Sequence, residues 1–96
     1  MKMETIDYIF DKMESFYKER WTNIFLRTDH ISYEIKIQNF KIMWQSALYG
    51  CTKEDLKKAL IFYQNRAINK QTMPPSCIEF YNYSKSKPWM SRLYAR

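Results

Sequence analysis

Apolar side chains recur at intervals of three and four residues in four stretches of this chain, a spacing that places them on one face of an α-helix. The four predicted helices cover residues 5–17, 32–49, 52–67 and 76–84. Between the first two, Trp21, Ile24 and Phe25 are apolar without a clean period, which indicates an ordered connection with room for a helical turn. The pattern predicts an all-α fold: a compact bundle of about four helices over residues 1–84, followed by a short basic tail over residues 85–96.

Residues that favour helix ends support these boundaries. Thr5 is the predicted N-cap of the first helix, and the residues before it are expected to fray. Gly50, the only glycine, lies where the second helix ends and where a left-handed backbone is common. Thr52 is the predicted N-cap of the third helix, and Ser76 and Glu79 have the spacing of a capping box at the start of the fourth.

The second predicted helix carries two apolar stripes, which predicts contacts on two of its sides. Its main stripe belongs to the predicted core, whose centre consists of Phe40, Trp44, Leu60 and Phe80. The second stripe has a spacing of seven residues and is predicted to contact a partner protein. Tyrosines of the fourth helix are further candidates for this contact, because tyrosine tolerates both water and burial. The predicted protein-binding residues are Ile35, Ile42, Tyr49, Tyr81 and Tyr83.

The net charge of +6 is unevenly distributed, because residues 1–34 carry a net −2 and residues 35–96 a net +8. The basic tail alternates cations with large aromatics. Cations neutralise phosphates and aromatic faces stack on unpaired bases, so this part of the chain favours contact with DNA, including single-stranded DNA. The predicted nucleic-acid-binding residues are Lys53, Lys57, Lys58, Lys85, Lys87, Trp89, Arg92, Tyr94 and Arg96. The alternative is that Trp89 and Leu93 pack back onto the core while the charges are simply solvated.

The polar residues give poor support to catalysis or metal binding. His30 is the only histidine, and Cys51 and Cys77 fit two buried reduced thiols better than a nucleophile or a zinc site. We therefore expect no enzymatic activity, no metal and no cofactor. Two cysteines are too few for a disulfide scaffold, no apolar run is long enough to span a membrane, and Glu4 and Asp7 do not fit a signal peptide. The sequence predicts a cytoplasmic protein.

The order of several residues resembles a known family. The series consists of Ile9 and Phe10 in the first helix, Tyr17 and Trp21 behind them, Trp44 ahead of Leu48-Tyr49-Gly50, a Thr-capped helix that ends near Ala67, and the block from Met73 to Phe80. Over residues 6–84 it resembles the N-terminal-to-central domain of phage replication proteins of the lambda P type, which help to load the replicative helicase at a phage origin. The resemblance implies a binding module in phage or mobile-element DNA replication, with DNA, the replicative helicase or an initiator protein as its partner.

The chain departs from that family in two respects. Many relatives have a cysteine two or three residues after the phenylalanine of the Pro-Pro block, where this chain has Tyr83, so no role for that thiol carries over. Full-length relatives continue into a C-terminal region to which helicase binding is usually ascribed. This chain is therefore expected to bind DNA or a replication protein without loading a helicase. Two alternatives stay open: a protein-only adaptor or inhibitor of a host replication protein, and an unrelated small helical regulator.

Overall fold

Five helices account for the fold of residues 1–25 and 32–86, which are the residues that the structure, a computed structural model, describes. They are α1 (Met3–Tyr17), α2 (Glu19–Thr22), α3 (Tyr33–Ala47), α4 (Lys53–Ala67) and α5 (Cys77–Lys85). No strand occurs among these residues, so the predicted all-α class is confirmed. The four long helices correspond to the four predicted ones, and α2 is a single helical turn within the predicted connection.

Short polar side chains begin three of the long helices, as the sequence predicts for two of them. The backbone N–H of Asp55 donates to Thr52 Oγ1 at 3.1 Å, and the N–H of Thr52 donates to Asp55 Oδ2 at 3.0 Å. Ser76 and Glu79 make the same reciprocal pair of bonds, each 3.2 Å long, at the start of α5. Ser32 caps α3 through its side chain. Each bond spans three residues, so sequence spacing alone is enough to predict it.

The start of α1 differs from the prediction. The helix begins at Met3, and the backbone N–H of Thr5 donates to the Lys2 carbonyl at 3.1 Å, so Thr5 lies inside the first turn rather than capping it. Met1 and Met3 pack against the core, and Gln45 Nε2 donates to the Met1 carbonyl at 2.9 Å. The predictions of a Thr5 cap and a frayed start are therefore wrong, because contacts with α3 hold these residues in place.

The helices form a ring in which α1 contacts α3 and α4, and α5 contacts the same two helices from the other side. The start of α1 meets the end of α3 through Gln45, so these helices are antiparallel. The Tyr17 hydroxyl, at the end of α1, donates to the Tyr63 carbonyl near the end of α4 at 3.4 Å, so α1 and α4 are parallel. This arrangement places α3 and α4 diagonally across the bundle.

Aromatic rings fill the space between the helices. The Phe10 ring lies edge-on to Trp21 and Trp44, with centroid distances of 5.1 and 5.5 Å. Phe80 is fully buried and contacts both Trp44 and Tyr63 at centroid distances of 5.3 and 5.8 Å. Trp44 and Phe80 are thus central to the core, as predicted. The other two predicted central residues, Phe40 and Leu60, are only partly buried at its edge.

Two positions in the described part of the chain have a positive φ angle. Gly50 has φ of +88° in the turn after α3, which agrees with the predicted left-handed position, although the helix itself already ends at Ala47. Lys18 has φ of +54° and joins α1 directly to α2. This sharp joint turns the chain so that Trp21 and Phe25 point into the aromatic core beside Phe10.

Candidate interaction surfaces

The second apolar stripe of α3 lies on the outside of the bundle. Ile35 is 55% exposed, Ile42 is 49% exposed, and Tyr49, in the turn directly after the helix, is 79% exposed. The helix contacts α1 and α5 through its opposite side. The sequence predicted contacts on two sides of this helix, and within the described residues only one side is covered.

No charged residue lies among the outward-facing positions of α3 between Ile35 and Tyr49. Seven residues of this stretch are exposed, and Met43, which is 53% exposed, lies to one side beside Trp21 and Pro74. We define the α3 face by the other six: Ile35, Gln38, Asn39, Ile42 and Ser46 of the helix, and Tyr49 in the turn after it. Lys41 lies at the side of the helix, where it forms an ion pair with Asp7 at 2.9 Å. Charged residues make up 27% of the chain, so an uncharged face with exposed isoleucines and a tyrosine stands out. Depletion of charge and enrichment of aromatic residues are typical of protein–protein interfaces.

The two tyrosines of α5 do not extend this face. Tyr83 is only 8% exposed, and its ring stacks on Phe62 with a centroid distance of 4.0 Å, in the space between α4 and α5. Its prediction as a partner-binding residue is wrong, because its position on the helix turns it toward α4. Tyr81 is half-buried and packs against the core.

Two of the predicted phosphate contacts have partners within the chain. Lys58 Nζ donates to the carbonyl and, at 3.2 Å, to the hydroxyl of Ser86. Lys85 Nζ donates to the Gly50 carbonyl at 2.9 Å and forms an ion pair with Asp55 at 3.0 Å. The hydrogen bond to Asp55 raises the pKa of Lys85. Both cations tie the end of α5 to α4 or its N-terminal turn, and Lys85 remains exposed while it does so.

Lys53 and Lys57 are exposed cations of the predicted set that form no ion pair among the described residues. They lie on consecutive turns of α4 and line a groove of about 450 Å³ between this helix and α1. On the α1 side the groove is lined by Glu4 and by the exposed Tyr8, and Lys12 Nζ lies 5.4 Å from the centre of the Tyr8 ring. The apolar lining consists of Ile9, Leu56 and Leu60. Sequence reasoning missed Tyr8 and Lys12, although their spacing of four residues on one helix was a usable signal.

The other predicted nucleic-acid contacts lie outside the described residues. They are Lys87, Trp89, Arg92, Tyr94 and Arg96. Their roles, and the alternative in which Trp89 and Leu93 pack on the core, stay predictions from the sequence.

The two cysteines differ in burial. Cys77 is buried, but Cys51 is only partly buried, and its Sγ lies 3.4 Å from the Ser84 hydroxyl, so the prediction of two buried thiols holds for one. His30 lies outside the described residues. Within residues 1–25 and 32–86, no three His, Cys, Asp or Glu side chains are close enough to hold a metal ion. Burial raises the pKa of the Tyr63 phenol, which lies in the core rather than in a cleft.

Arg20 is a residue that sequence reasoning did not single out. Its Nη2 donates to the Ala67 carbonyl at 2.8 Å, and its Nη1 donates to the carbonyls of Asn69 and Thr72 at 3.0 and 2.6 Å. The guanidinium also lies 4.9 Å from the centre of the Tyr17 ring. Arg20 therefore holds the loop after α4 against the joint between α1 and α2. No sequence signal connects residues that are about fifty positions apart.

Among the described residues, every helix is too short or too polar to cross a lipid bilayer. Comparison of the chain with protein-family models, with curated proteins and with solved structures finds no match. The resemblance to the phage replication proteins thus rests on the residues quoted above.

Proposed function

We propose that this chain is a non-enzymatic protein-binding module and that the α3 face is its docking surface. The observation that carries the proposal is the exposure of Ile35, Ile42 and Tyr49 on a face without charge. Removing apolar area from water contributes roughly 25 cal/mol per Å², whereas burying a charge is costly. A partner that covers an uncharged face with apolar residues therefore gains binding free energy from the apolar area without having to bury a charge.

The resemblance to the phage replication proteins supplies the class of partner to test first. It implies the replicative helicase or an initiator protein, on which a module of this size acts as an adaptor or an inhibitor. Lys58 and Lys85, two of the cations proposed for DNA, are bonded within the chain. This favours protein contact over DNA contact as the main activity.

The test measures binding of the chain to immobilised replicative helicase, and separately to initiator protein, from the native host. We expect Ile42→Asp to weaken binding at least tenfold, because it places a charge at the centre of the face. The matched control is Ile61→Asp on α4, since Ile61 is 50% exposed and Ile42 is 49% exposed. Equal losses in the two variants would contradict the α3 face, and no binding of the unmodified chain would exclude this class of partner.

Contact with DNA is a second candidate function, favoured by the lining of the α1–α4 groove. Lys53 and Lys57 have no ion pair among the described residues, and Tyr8 exposes an aromatic ring beside them. Together they offer phosphate neutralisation and a stacking surface. Glu4 on the same groove opposes a polyanion, which is why we rank DNA second.

Fluorescence anisotropy with a single-stranded oligonucleotide at about 50 and about 200 mM salt tests this second function. We expect Lys57→Glu to weaken binding and to reduce the salt dependence. The matched control, Lys70→Glu, reverses the same charge in the exposed loop after α4 and should leave binding less affected. Undetectable binding at the lower salt concentration would contradict DNA contact altogether.

A further inference from the structure

We infer that the α1–α4 groove binds an acidic helical segment of a protein partner, which inserts apolar side chains between the two helices and places carboxylates beside the lysines of the groove. The groove belongs to α1 and α4, so its occupant does not depend on whether the α3 face binds a partner.

The floor of the groove is apolar, and its walls are two parallel helices. Ile9, Leu56 and Leu60 form the floor, and the exposed Tyr8 lies at one side. The cavity has a volume of about 450 Å³, within the roughly 300–1,000 Å³ of typical ligand clefts. Amphipathic helices bind grooves of this kind through the apolar side chains of one face. The floor therefore suits the apolar side chains of a helix.

A second cavity continues the groove toward the turn after α3. It has a volume of about 350 Å³ and shares Thr5, Lys53 and Leu56 with the groove. It reaches Lys2 and also Tyr49, which is 79% exposed. The lining residues of α4 in the groove alone extend over about 10 Å of helical rise, and the second cavity adds to this length. The two cavities together accommodate a segment of at least two helical turns.

The charge around the groove selects an acidic segment. Four lysines line the two cavities or contact the ring of Tyr8, and Glu4 is the one carboxylate among the lining residues, so these groups sum to +3. The four lysines are Lys2, Lys12, Lys53 and Lys57. None of them forms an ion pair with another described residue. An acidic segment therefore gains ion pairs here without breaking any within the chain.

Glu4 and the apolar floor favour a peptide over a nucleic acid. The carboxylate of Glu4 repels a continuous row of phosphates, whereas a peptide can place an uncharged side chain opposite it and carboxylates opposite the lysines. A nucleic acid binds largely through its phosphates, and a base that stacks on Tyr8 leaves the aliphatic floor uncovered. An acidic segment with apolar side chains matches both the charge and the floor.

Fluorescence anisotropy with a labelled synthetic peptide of about 15 residues tests the inference. The peptide carries leucines at intervals of three and four positions and glutamates on either side of this stripe. We expect it to bind the full chain, and we expect binding to fall at least fivefold when the leucines are replaced with serine and again when the glutamates are replaced with glutamine. No binding at about 1 mM peptide, or binding that neither replacement weakens, would overturn the inference.

Substitutions in the chain locate the binding. Lys57→Glu should weaken binding of the peptide at least fivefold, because it exchanges an attraction for a repulsion. Tyr8→Ser should also weaken it, because it removes the aromatic wall of the groove. The matched control, Lys70→Glu, reverses the same charge in the exposed loop after α4 and should leave binding less affected. Equal losses for the two charge reversals would show general attraction to a basic chain and exclude the groove.

An unlabelled single-stranded oligonucleotide separates the two classes of occupant. It should displace the labelled peptide only at higher concentrations than the unlabelled peptide does, because its phosphates do not cover the apolar floor. Displacement at lower concentrations, or binding of the oligonucleotide without binding of the peptide, would assign the groove to DNA and overturn the inference. The helicase-binding test of the α3 face uses a different ligand and different substitutions, so the proposed function stands or fails separately.

Discussion

A single guanidinium group joins two parts of this chain that are distant in sequence. Arg20 presents its planar donors to the carbonyls of Ala67, Asn69 and Thr72, while its face lies over the ring of Tyr17. These carbonyls lie at the C-terminal end of α4 and just beyond it, where backbone acceptors lack partners within the helix. An arginine satisfies several of them at once, which a lysine with one point charge cannot do in the same geometry.

Arg20→Lys should therefore destabilise the fold without changing its net charge. Hydrogen bonds to charged groups contribute about 1.5–3 kcal/mol, so we expect the free energy of unfolding in urea to fall by about 2 kcal/mol. Arg66→Lys is the control, because Arg66 is exposed near the end of α4 and its side chain donates no hydrogen bond to another described residue. Similar effects of the two substitutions would show that the fork of Arg20 is not what holds the loop.

The starts of α4 and α5 are the features that the sequence predicts best, because the interactions that form them lie between residues close together in the chain. The capping boxes of α4 and α5 each depend on two residues three positions apart, so the sequence contains the complete interaction. The start of α1 was mispredicted because Met1 is held by Gln45, which belongs to another helix. At the start of α1, this contact between helices outweighs the preference of Thr5 for a capping position.

The candidate site was predictable to a similar degree. The seven-residue stripe of α3 was visible in the sequence because its periodicity is a property of one helix. The internal bonds of Lys58 and the burial of Tyr83 depend on how α4 and α5 meet, which no spacing within one helix determines. The groove beside Tyr8 was missed for the same reason, since half of its lining comes from α4.

The capping box of α4 should make stability depend on acidic pH. The backbone N–H of Thr52 and, after it, the Lys85 ammonium hold the pKa of Asp55 below its usual value. A carboxyl group with a lowered pKa in the folded state contributes stability above its unfolded pKa, and this contribution is lost as the pH falls through the folded pKa. Asp55→Asn should therefore flatten the acid side of a plot of unfolding free energy against pH. Glu54→Gln, in the same helical turn but outside the capping box, should leave that slope in place; an equal flattening by both would contradict the assignment.

At the scale of the whole molecule, the two candidate surfaces meet at the turn after α3. Tyr49 of the α3 face and Lys53 of the α1–α4 groove line one pocket, together with Met1 and Lys2. A partner that covers Tyr49 therefore lies close to Lys53.

Both surfaces depend on Phe80, which holds three helices together. It is fully buried on α5 and contacts Trp44 of α3 and Tyr63 of α4. Phe80→Ala should cost about 3–5 kcal/mol, a large share of the roughly 5–15 kcal/mol that stabilises a typical domain. The control is Ile78→Ala on the same helix, where the side chain is 66% exposed and the cost should stay within about 0.5 kcal/mol. Urea unfolding followed by tryptophan fluorescence measures both, and Phe80→Leu provides a milder variant if the alanine variant does not fold. A loss for Ile78→Ala as large as that for Phe80→Ala would mean that α5 is held by its outer face and not by this ring.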